Sequence, residues 1–345
     1  MKALQILNDN KLGLISKDSD ALAPWEARVS VAISLVCGSD LKNIRLSSSV
    51  SRVPGHEFSG VVTEVSKEAI GILKIGERIS AFPMMPCHSC VNCKNRIFRD
   101  CEFKESLGGV DWPGSFATEL IIDARMAVVL PQELTMEQGA LLEHLCCAYR
   151  FAKEILESGS GIESHILIIG DGPIALGNLQ MLLLEGYKNV TLLGKYSLRL
   201  KLAKELGARE VFEISALNES SHADLETVDI CVLSAPSEKM ILNLSKVFKY
   251  GASIIEQTRF LDAELKQLLI SRGFIFRRAF AYHLSDFDQV TQLIIAGLVK
   301  TDQLVTSRIS LEDFGPAYPD VLAKHRNIKV AVISDQVLFE SRNKG

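Results

Sequence analysis

The stretch SHILIIGDGPIALGNLQMLLLEG (164–186) narrows the possible architectures more than any other. Apolar residues Ile166 to Ile169 run into a glycine turn, and the turn opens into a helical pattern that stops at Gly186. The turn reads Gly170-x-Gly172-x-x-Ala175, with Pro173 and Ile174 at the helix start and Gly177 two residues on. A strand before and a helix after are the context that makes this spacing a dinucleotide fingerprint. Gly170 permits the tight turn, Gly172 lets backbone approach a pyrophosphate, and Ala175 is an accepted third position. The helix N-terminus supplies N–H donors and a positive dipole to the phosphates. A glycine turn in a nucleotide-free α/β domain uses the same residues, and the strand–turn–helix context weighs against it.

The alternation continues downstream. NVTLLG, REVFEI, VDICVLSA, GASIIEQ and GFIFRRAF read as strands, and SLRLKLAKELGA, SEKMILNLSKVF and DAELKQLLIS as helices. That order predicts a doubly wound parallel sheet. The first third is different. In ARVSVAISLV (27–36), Val29, Val31, Ile33 and Leu35 share one face of a strand, and FSGVVTEVS, GERISAF and GSFATELIIDARMAVVLP add short strands with glycine turns. TMEQGALLEHLCCAYRFAKEI is helical, and Thr135 with Gln138 forms a capping box at its start. After Phe287 one helix leads to polar segments and a last strand, IKVAVIS, which is expected to return to the first domain. The expected division is therefore 1–146 with 284–345 as a β-rich domain, and 147–283 as the dinucleotide-type domain.

The second strand of the parallel sheet discriminates between cofactors. NAD binders place an acid about twenty residues after the turn to hold the ribose 2′-hydroxyl. Here the strand ends in Gly194, followed by Lys195, Tyr196 and Ser197, with Arg199 beyond. Gly194 leaves room for a 2′-phosphate and Lys195 can pair with it, so NADP(H) is favoured over NAD(H). Tyr196 can flank the adenine and Arg199 is a second candidate cation. A solvated lysine at a helix start is the competing reading.

Four of the eight cysteines fall in PCHSCVNCKNRIFRDC: Cys87, Cys90, Cys93 and Cys101, spaced C-x2-C-x2-C-x7-C. The N-terminus lacks a secretory pattern and no apolar run reaches the roughly 18 residues that span a bilayer, so a cytoplasmic protein with reduced thiols is expected. Four thiolates suit one closed tetrahedral zinc, which holds a loop and leaves no position for chemistry. The net charge of −4 and pI of about 6.0 argue against a nucleic-acid surface. A second set is scattered: Cys37 and Ser39 in SLVCGSD, His56 and Glu57 in VPGHEFSG, and Glu143 in GALLEHLCC. Beside a nicotinamide-type fold, mixed N, S and O ligands suggest a catalytic zinc with one position open.

In order, CGSD, PGHEFSG, the cysteine run, GSFATELI, ALLE, GDGPIALG and LRLKLAKELGA resemble the medium-chain, zinc-dependent alcohol/polyol dehydrogenases over essentially the full length. The likeness is nearest to the sorbitol and polyol-phosphate dehydrogenase branch, since Glu143 stands where alcohol dehydrogenases proper carry cysteine. The resemblance implies a GroES-like catalytic domain with a Rossmann domain, two zinc ions per chain, and an active cleft between the domains. It implies that Cys37 and His56 bind the catalytic zinc, that Glu57 and Glu143 compete for the remaining protein position, and that Ser39 relays the substrate proton. Lys42 replaces the histidine that often completes that relay. Lys42 and Arg45 are expected in a basic, serine-rich loop, either solvated or holding a substrate anion.

The expected activity is hydride transfer between NADP(H), or NAD(H), and a secondary alcohol or ketone: a polyol, sugar alcohol or sugar phosphate. A homodimer or homotetramer is a family inference. No nucleic-acid or membrane partner is expected. Two other readings share the scaffold, a non-catalytic nucleotide-binding zinc protein and a zinc-independent reductase. Metal analysis separates them, because two, one or no zinc ions per chain are the respective expectations.

Overall fold

The structure, a computed structural model, describes residues 1–7, 11–46, 52–110, 112–216, 227–235, 238–257, 261–279, 281–321 and 327–342. Two compact units divide the chain, one made of Met1–Cys146 with His283–Gly345 and the other of Cys147–Tyr282.

In chain order the first unit contributes β1 (Lys2–Ile6), β2 (Leu12–Ser16), β3 (Glu26–Leu35), α1 (Gly38–Leu46), β4 (Glu57–Val65), β5 (Arg78–Ala81), β6 (Met84–Met85), α2 (Val91–Lys94), β7 (Glu105–Ser106), β8 (Glu119–Asp123), β9 (Ala127–Val129) and the first half of α3 (Met136–Glu157), whose residues from Cys147 on are counted with the second unit. The second unit holds β10 (Ile166–Ile169), α4 (Pro173–Leu184), β11 (Val190–Gly194), α5 (Ser197–Leu206), β12 (Glu210–Glu213), β13 (Val228–Leu233), α6 (Glu238–Leu244), β14 (Phe248–Glu256), α7 (Ala263–Ser271) and β15 (Ile275–Arg278). The chain then returns to the first unit as α8 (Asp286–Ile295), β16 (Val305–Ser310), α9 (Leu311–Val321), β17 (Lys329–Ile333) and α10 (Gln336–Arg342).

The first unit is organised around β3. Val29, Val31, Ile33 and Leu35 are fully buried, and so are Ala32 and Ser34 on the opposite face, so the end of the strand is covered on both sides. Along one edge β4 runs antiparallel, from Ala27 opposite Val65 to Leu35 opposite Glu57. The other edge is shared. β8 pairs with the first half of β3, and β17 pairs antiparallel with its end, Ala331 opposite Leu35. The sheet continues from β4 to β5 and β9, and from β17 to β16. A core of Leu4, Ile44, Phe116, Phe314 and Val332 packs below, with the Phe116 and Phe314 rings edge to face at 5.6 Å. Each buried phenyl side chain stabilises by about 1.5–3 kcal/mol. The capping box at α3 is formed as drawn from sequence, with Gln138 N–H donating to Thr135 Oγ1 at 3.1 Å and Thr135 N–H to Gln138 Oε1 at 3.0 Å.

The second unit is a six-stranded parallel sheet in the order β12-β11-β10-β13-β14-β15. The order reverses between β10 and β13, the switch point where open α/β sheets bind ligands beyond the strand ends.

Two local expectations are corrected. Lys42 and Arg45 lie on α1 rather than in a loop, and residues 47–51 of the same stretch fall outside the described residues. Ile44, fully buried, anchors this helix, and Asp40 in its first turn binds the chain on both sides of it. The tail expected to be polar contains β16, α9 and α10. Pro316 and Pro319 concealed α9, which forms because Leu311, Phe314 and Tyr318 line one buried face and Ser310 Oγ accepts from Asp313 N–H at its start.

Candidate metal centre and dinucleotide turn

Strand register assembles the first cluster. Leu35 lies opposite Glu57, and Val36 N–H donates to Val330 O at 2.9 Å, so Cys37, His56–Glu57 and Lys329 meet where β3 ends, β4 begins and β17 begins. Ligand atoms of Cys37, His56 and Glu57 all lie within 4.8 Å of one another. Asp40, 1% exposed, ties the cluster together. Its Oδ2 accepts from Cys37 N–H at 2.9 Å, and its Oδ1 accepts from Gly55 N–H at 3.1 Å and lies 3.3 Å from His56 Nδ1. A carboxylate on one ring nitrogen sets the tautomer and leaves the other nitrogen for a metal. Burial pulls the His56 ring toward neutrality, yet Asp40 and the Cys37 sulfur more than offset it and raise the group well above its ordinary value. A cation bound by the thiolate and imidazole would displace that proton.

Sequence reasoning missed Lys329. Its Nζ donates to Glu57 Oε1 at 2.8 Å and lies 2.6 Å from Oε2, with the two side chains 2% and 1% exposed. Burial would lower the ammonium, but Glu57, Cys37 and Glu143 hold it above its ordinary value. Glu57 Oε2 is itself buried without an aligned hydrogen-bond donor. With a thiol and an imidazole alongside, this donor set fits one zinc ion with a free position. Glu143 is buried on α3 and its charge reaches Lys329, but it stands outside the mutual 4.8 Å trio. Ser39, in the first turn of α1, is exposed.

The four knuckle cysteines form a second cluster. Cys93 Sγ lies 3.4 Å from Cys90 Sγ and 3.9 Å from Cys87 Sγ, and all eight cysteines are free thiols. A disulfide needs about 2.05 Å, whereas sulfurs each about 2.3 Å from one tetrahedral ion stand about 3.8 Å apart. Backbone N–H groups aim at the sulfurs: Cys87 N–H at Cys101 Sγ, Cys90 N–H at Cys87 Sγ and Cys93 N–H at Cys90 Sγ, at 3.4 to 3.5 Å. The Ser89 hydroxyl and the Ser89 and Cys90 amides lower the Cys87 thiol to about 5, while burial and neighbouring thiols push Cys93 up to about 12. A closed four-sulfur zinc site fits this geometry. The loop is moored through His88, whose Nε2 lies 2.7 Å from Asp123 Oδ2, with Arg125 bonded to both oxygens of the same carboxylate.

In the second unit the glycine turn follows β10. Gly170 has φ +125°, and a Cβ there would lie 2.8 Å from Ala235 N, so a side chain is excluded on both counts. Gly172 caps α4 with Pro173 in the first turn, and a Cβ on it would meet nothing within 4 Å, so the turn is open above the helix N-terminus. Ala175 is fully buried. This cradle fits a pyrophosphate. At the end of β11 the room expected over Gly194 is taken. A Cβ there would lie 2.5 Å from Asp171 Cβ and 2.9 Å from Asp171 Oδ2. Asp171 Oδ2 accepts from Lys195 N–H at 2.8 Å and Tyr196 N–H at 2.7 Å, and its Oδ1 lies 3.7 Å from Arg199 NH1. Lys195 is exposed, with its Nζ 5.6 Å from the centre of the Tyr196 ring, and the buried Arg199 guanidinium lies 5.2 Å from that ring. The signal for Asp171 was an acid within the glycine turn itself.

Residues 23–132 match the alcohol dehydrogenase GroES-like domain. An L-idonate 5-dehydrogenase of Vitis vinifera is 27% identical over 201 residues, 56% of this chain but only 54% of its own length. A probable D-xylulose reductase A of Aspergillus fumigatus is 22% identical over 316 residues, 87% of each chain. The crystal structure of galactitol-1-phosphate dehydrogenase from Escherichia coli superposes with a TM-score of 0.82 at 22% identity, covering 97% of this chain and 100% of that one, a likeness of fold. A GroES-like domain match, a parallel sheet with a glycine turn, and a relative aligned over 87% of the chain make this chain similar to the medium-chain, zinc-type alcohol/polyol dehydrogenases.

Proposed function

We propose that this protein is a zinc-dependent oxidoreductase that moves a hydride between a nicotinamide dinucleotide and a secondary alcohol or ketone, with a polyol, sugar alcohol or sugar phosphate as substrate. The observation that carries the reading is the Cys37–His56–Glu57 trio within 4.8 Å, with the buried Glu57 carboxylate held against Lys329. When bound, zinc supplies Lewis-acid polarisation of the substrate oxygen, and the nicotinamide gives or takes the hydride. The chain's part is to hold and orient. Cys37 and His56 grip the metal, Asp40 fixes the imidazole, and Glu57 or Glu143 fills the third protein position. Lys329 holds the Glu57 carboxylate in place where water does not reach it. Ser39, exposed at the start of α1, takes the substrate hydroxyl proton and passes it toward solvent. Cys87, Cys90, Cys93 and Cys101 hold a second, structural zinc.

For the dinucleotide, Gly170, Gly172, Pro173, Ile174 and Ala175 form the pyrophosphate turn. Lys195, free of any strand-end acid at position 194, draws the 2′-phosphate of NADP(H), with Tyr196 and Arg199 beside it. Names of the relatives favour polyols and sugar acids as the substrate class. A homodimer or homotetramer in the cytoplasm is the assembly and location the family suggests. Among the described residues no helix is long and apolar enough to cross a membrane.

The test is metal analysis of purified protein together with a polyol and sugar-phosphate screen under both cofactors. Two zinc ions per chain and turnover of at least one polyol, better with NADP, support the reading. Full turnover by protein with a single zinc overturns the catalytic-metal assignment.

A further inference from the structure

We propose that Asp171 determines cofactor specificity: it delivers, from the glycine turn, the carboxylate that NAD binders carry at the end of the second strand. The proposal rests on the reading that the second unit binds a dinucleotide. In that fold the pyrophosphate lies on the turn and the adenosine ribose lies between the turn and the end of the second strand. Asp171 bridges those two places. It is the residue between the two glycines, and its Oδ2 takes the N–H groups of Lys195 and Tyr196, the first two residues past β11. It also fills the position from which a strand-end acid would project, because a Cβ on Gly194 would stand 2.9 Å from Oδ2. A glycine at 194 therefore signals a relocated acid.

Two consequences bear on selectivity. The Lys195 and Tyr196 amides, which would otherwise be donors for a 2′-phosphate, are turned onto Asp171. The carboxylate is buried, 6% exposed, with Arg199 3.7 Å away as a partial counter-charge. A 2′-phosphate entering here meets Lys195 as an attraction and Asp171 as a repulsion. A ribose 2′-hydroxyl meets an acceptor. The chain thus carries both determinants, the lysine for NADP(H) and the acid for NAD(H), and accommodates both cofactors with a narrow margin between them. Asp171 keeps that margin narrow.

The experiment is direct binding of NADPH and NADH to the purified full chain, followed by dihydronicotinamide fluorescence, with 2′,5′-ADP and 5′-AMP as competitors. Wild type is compared with Asp171→Asn and Asp171→Ser, which remove the charge and retain a hydrogen-bond acceptor. Each neutral variant is expected to shift the NADPH-to-NADH affinity ratio toward NADPH by about tenfold, the effect of one charged contact, and the 2′,5′-ADP-to-5′-AMP ratio in the same direction. A general loosening of the turn would weaken both cofactors alike and leave the ratio unmoved. A ratio within twofold of wild type in a folded variant that still binds both cofactors overturns the proposal and leaves the dinucleotide reading intact. Failure of the wild type to bind either cofactor overturns both. Two neutral variants guard against a single misfolded one. If neither folds, the wild-type ratio decides: a preference for NADPH beyond a hundredfold overturns the proposal, and a ratio within about tenfold supports it.

Discussion

Replacing Lys329 with methionine tests the first cluster most sharply. The substitution keeps the length of the side chain and removes its charge. What remains is the Glu57 carboxylate, 1% exposed, with Cys37 and Glu143 near enough to act on the same point. Breaking a buried ion pair from one side costs about 3–5 kcal/mol, because the surviving charge is left without compensation. The additional negative groups place the expected loss in the upper half of that range for metal-free protein. Trp25 and Trp112 are the only tryptophans and both belong to the first unit, so urea unfolding followed by tryptophan fluorescence reads that unit. With a urea dependence of about 2–3 kcal/mol per molar, the midpoint should fall by more than about 1 M. Adding Glu57→Gln to Lys329→Met should recover much of the loss, since no buried charge is then stranded. Zinc-loaded protein should be hurt less, because the ion takes over part of the counter-charge. A metal-free midpoint shift below about 0.3 M, or a double variant as unstable as the single, would refute the reasoning.

The metal sites separate under mutation. Cys93→Ser, in the buried member of the knuckle, should remove one zinc per chain and lower thermal stability, while enzyme that still folds keeps most of its turnover. Metal content and melting temperature check this together, and a loss of turnover with unchanged stability would count against a structural site. Cys37→Ala should remove the other zinc and nearly all hydride transfer while NADPH still binds, as read by cofactor fluorescence. Retained zinc stoichiometry in that variant would move the ligand assignment elsewhere.

What could be read from the sequence was whatever is carried by contiguous spacing. The four knuckle cysteines sit within fifteen residues, and the glycine turn lies between an apolar run and a helix, so short-range geometry specifies both. The parallel sheet followed from alternation alone. Lys329 was not legible because its partner is 272 residues away, and only the register of β17 on β3 brings the two together. Nothing in IKVAVIS distinguishes a buried lysine from one that reaches out to solvent. Asp171 occupies a position that the fingerprint leaves free, and its direction depends on how β11 ends beside β10. The absence of an acid at Gly194 was read correctly as a residue and incorrectly as empty space. α9 was hidden for a different reason: its two prolines carry the signal of a loop, and tertiary burial of Phe314 and Tyr318 overrides it.

The divided edge of β3 has a consequence for how the protein is born. β17 pairs with the end of β3 only after the whole second unit has been made, and Lys329 follows Glu57 by 272 residues. At about 5–20 residues per second, that gap lasts roughly 14–54 s on the ribosome. During that interval the residues of the second unit emerge as one continuous stretch and can close their own parallel sheet. The first unit waits with an unpaired strand edge and with Glu57 lacking its cation. An ion captured by Cys37, His56 and Glu57 in that window would supply the missing positive charge before the chain's own lysine arrives. Metal supply during synthesis then governs the yield of folded protein, and cells starved of zinc should accumulate nascent chains whose first unit is protease-sensitive and whose second unit is not.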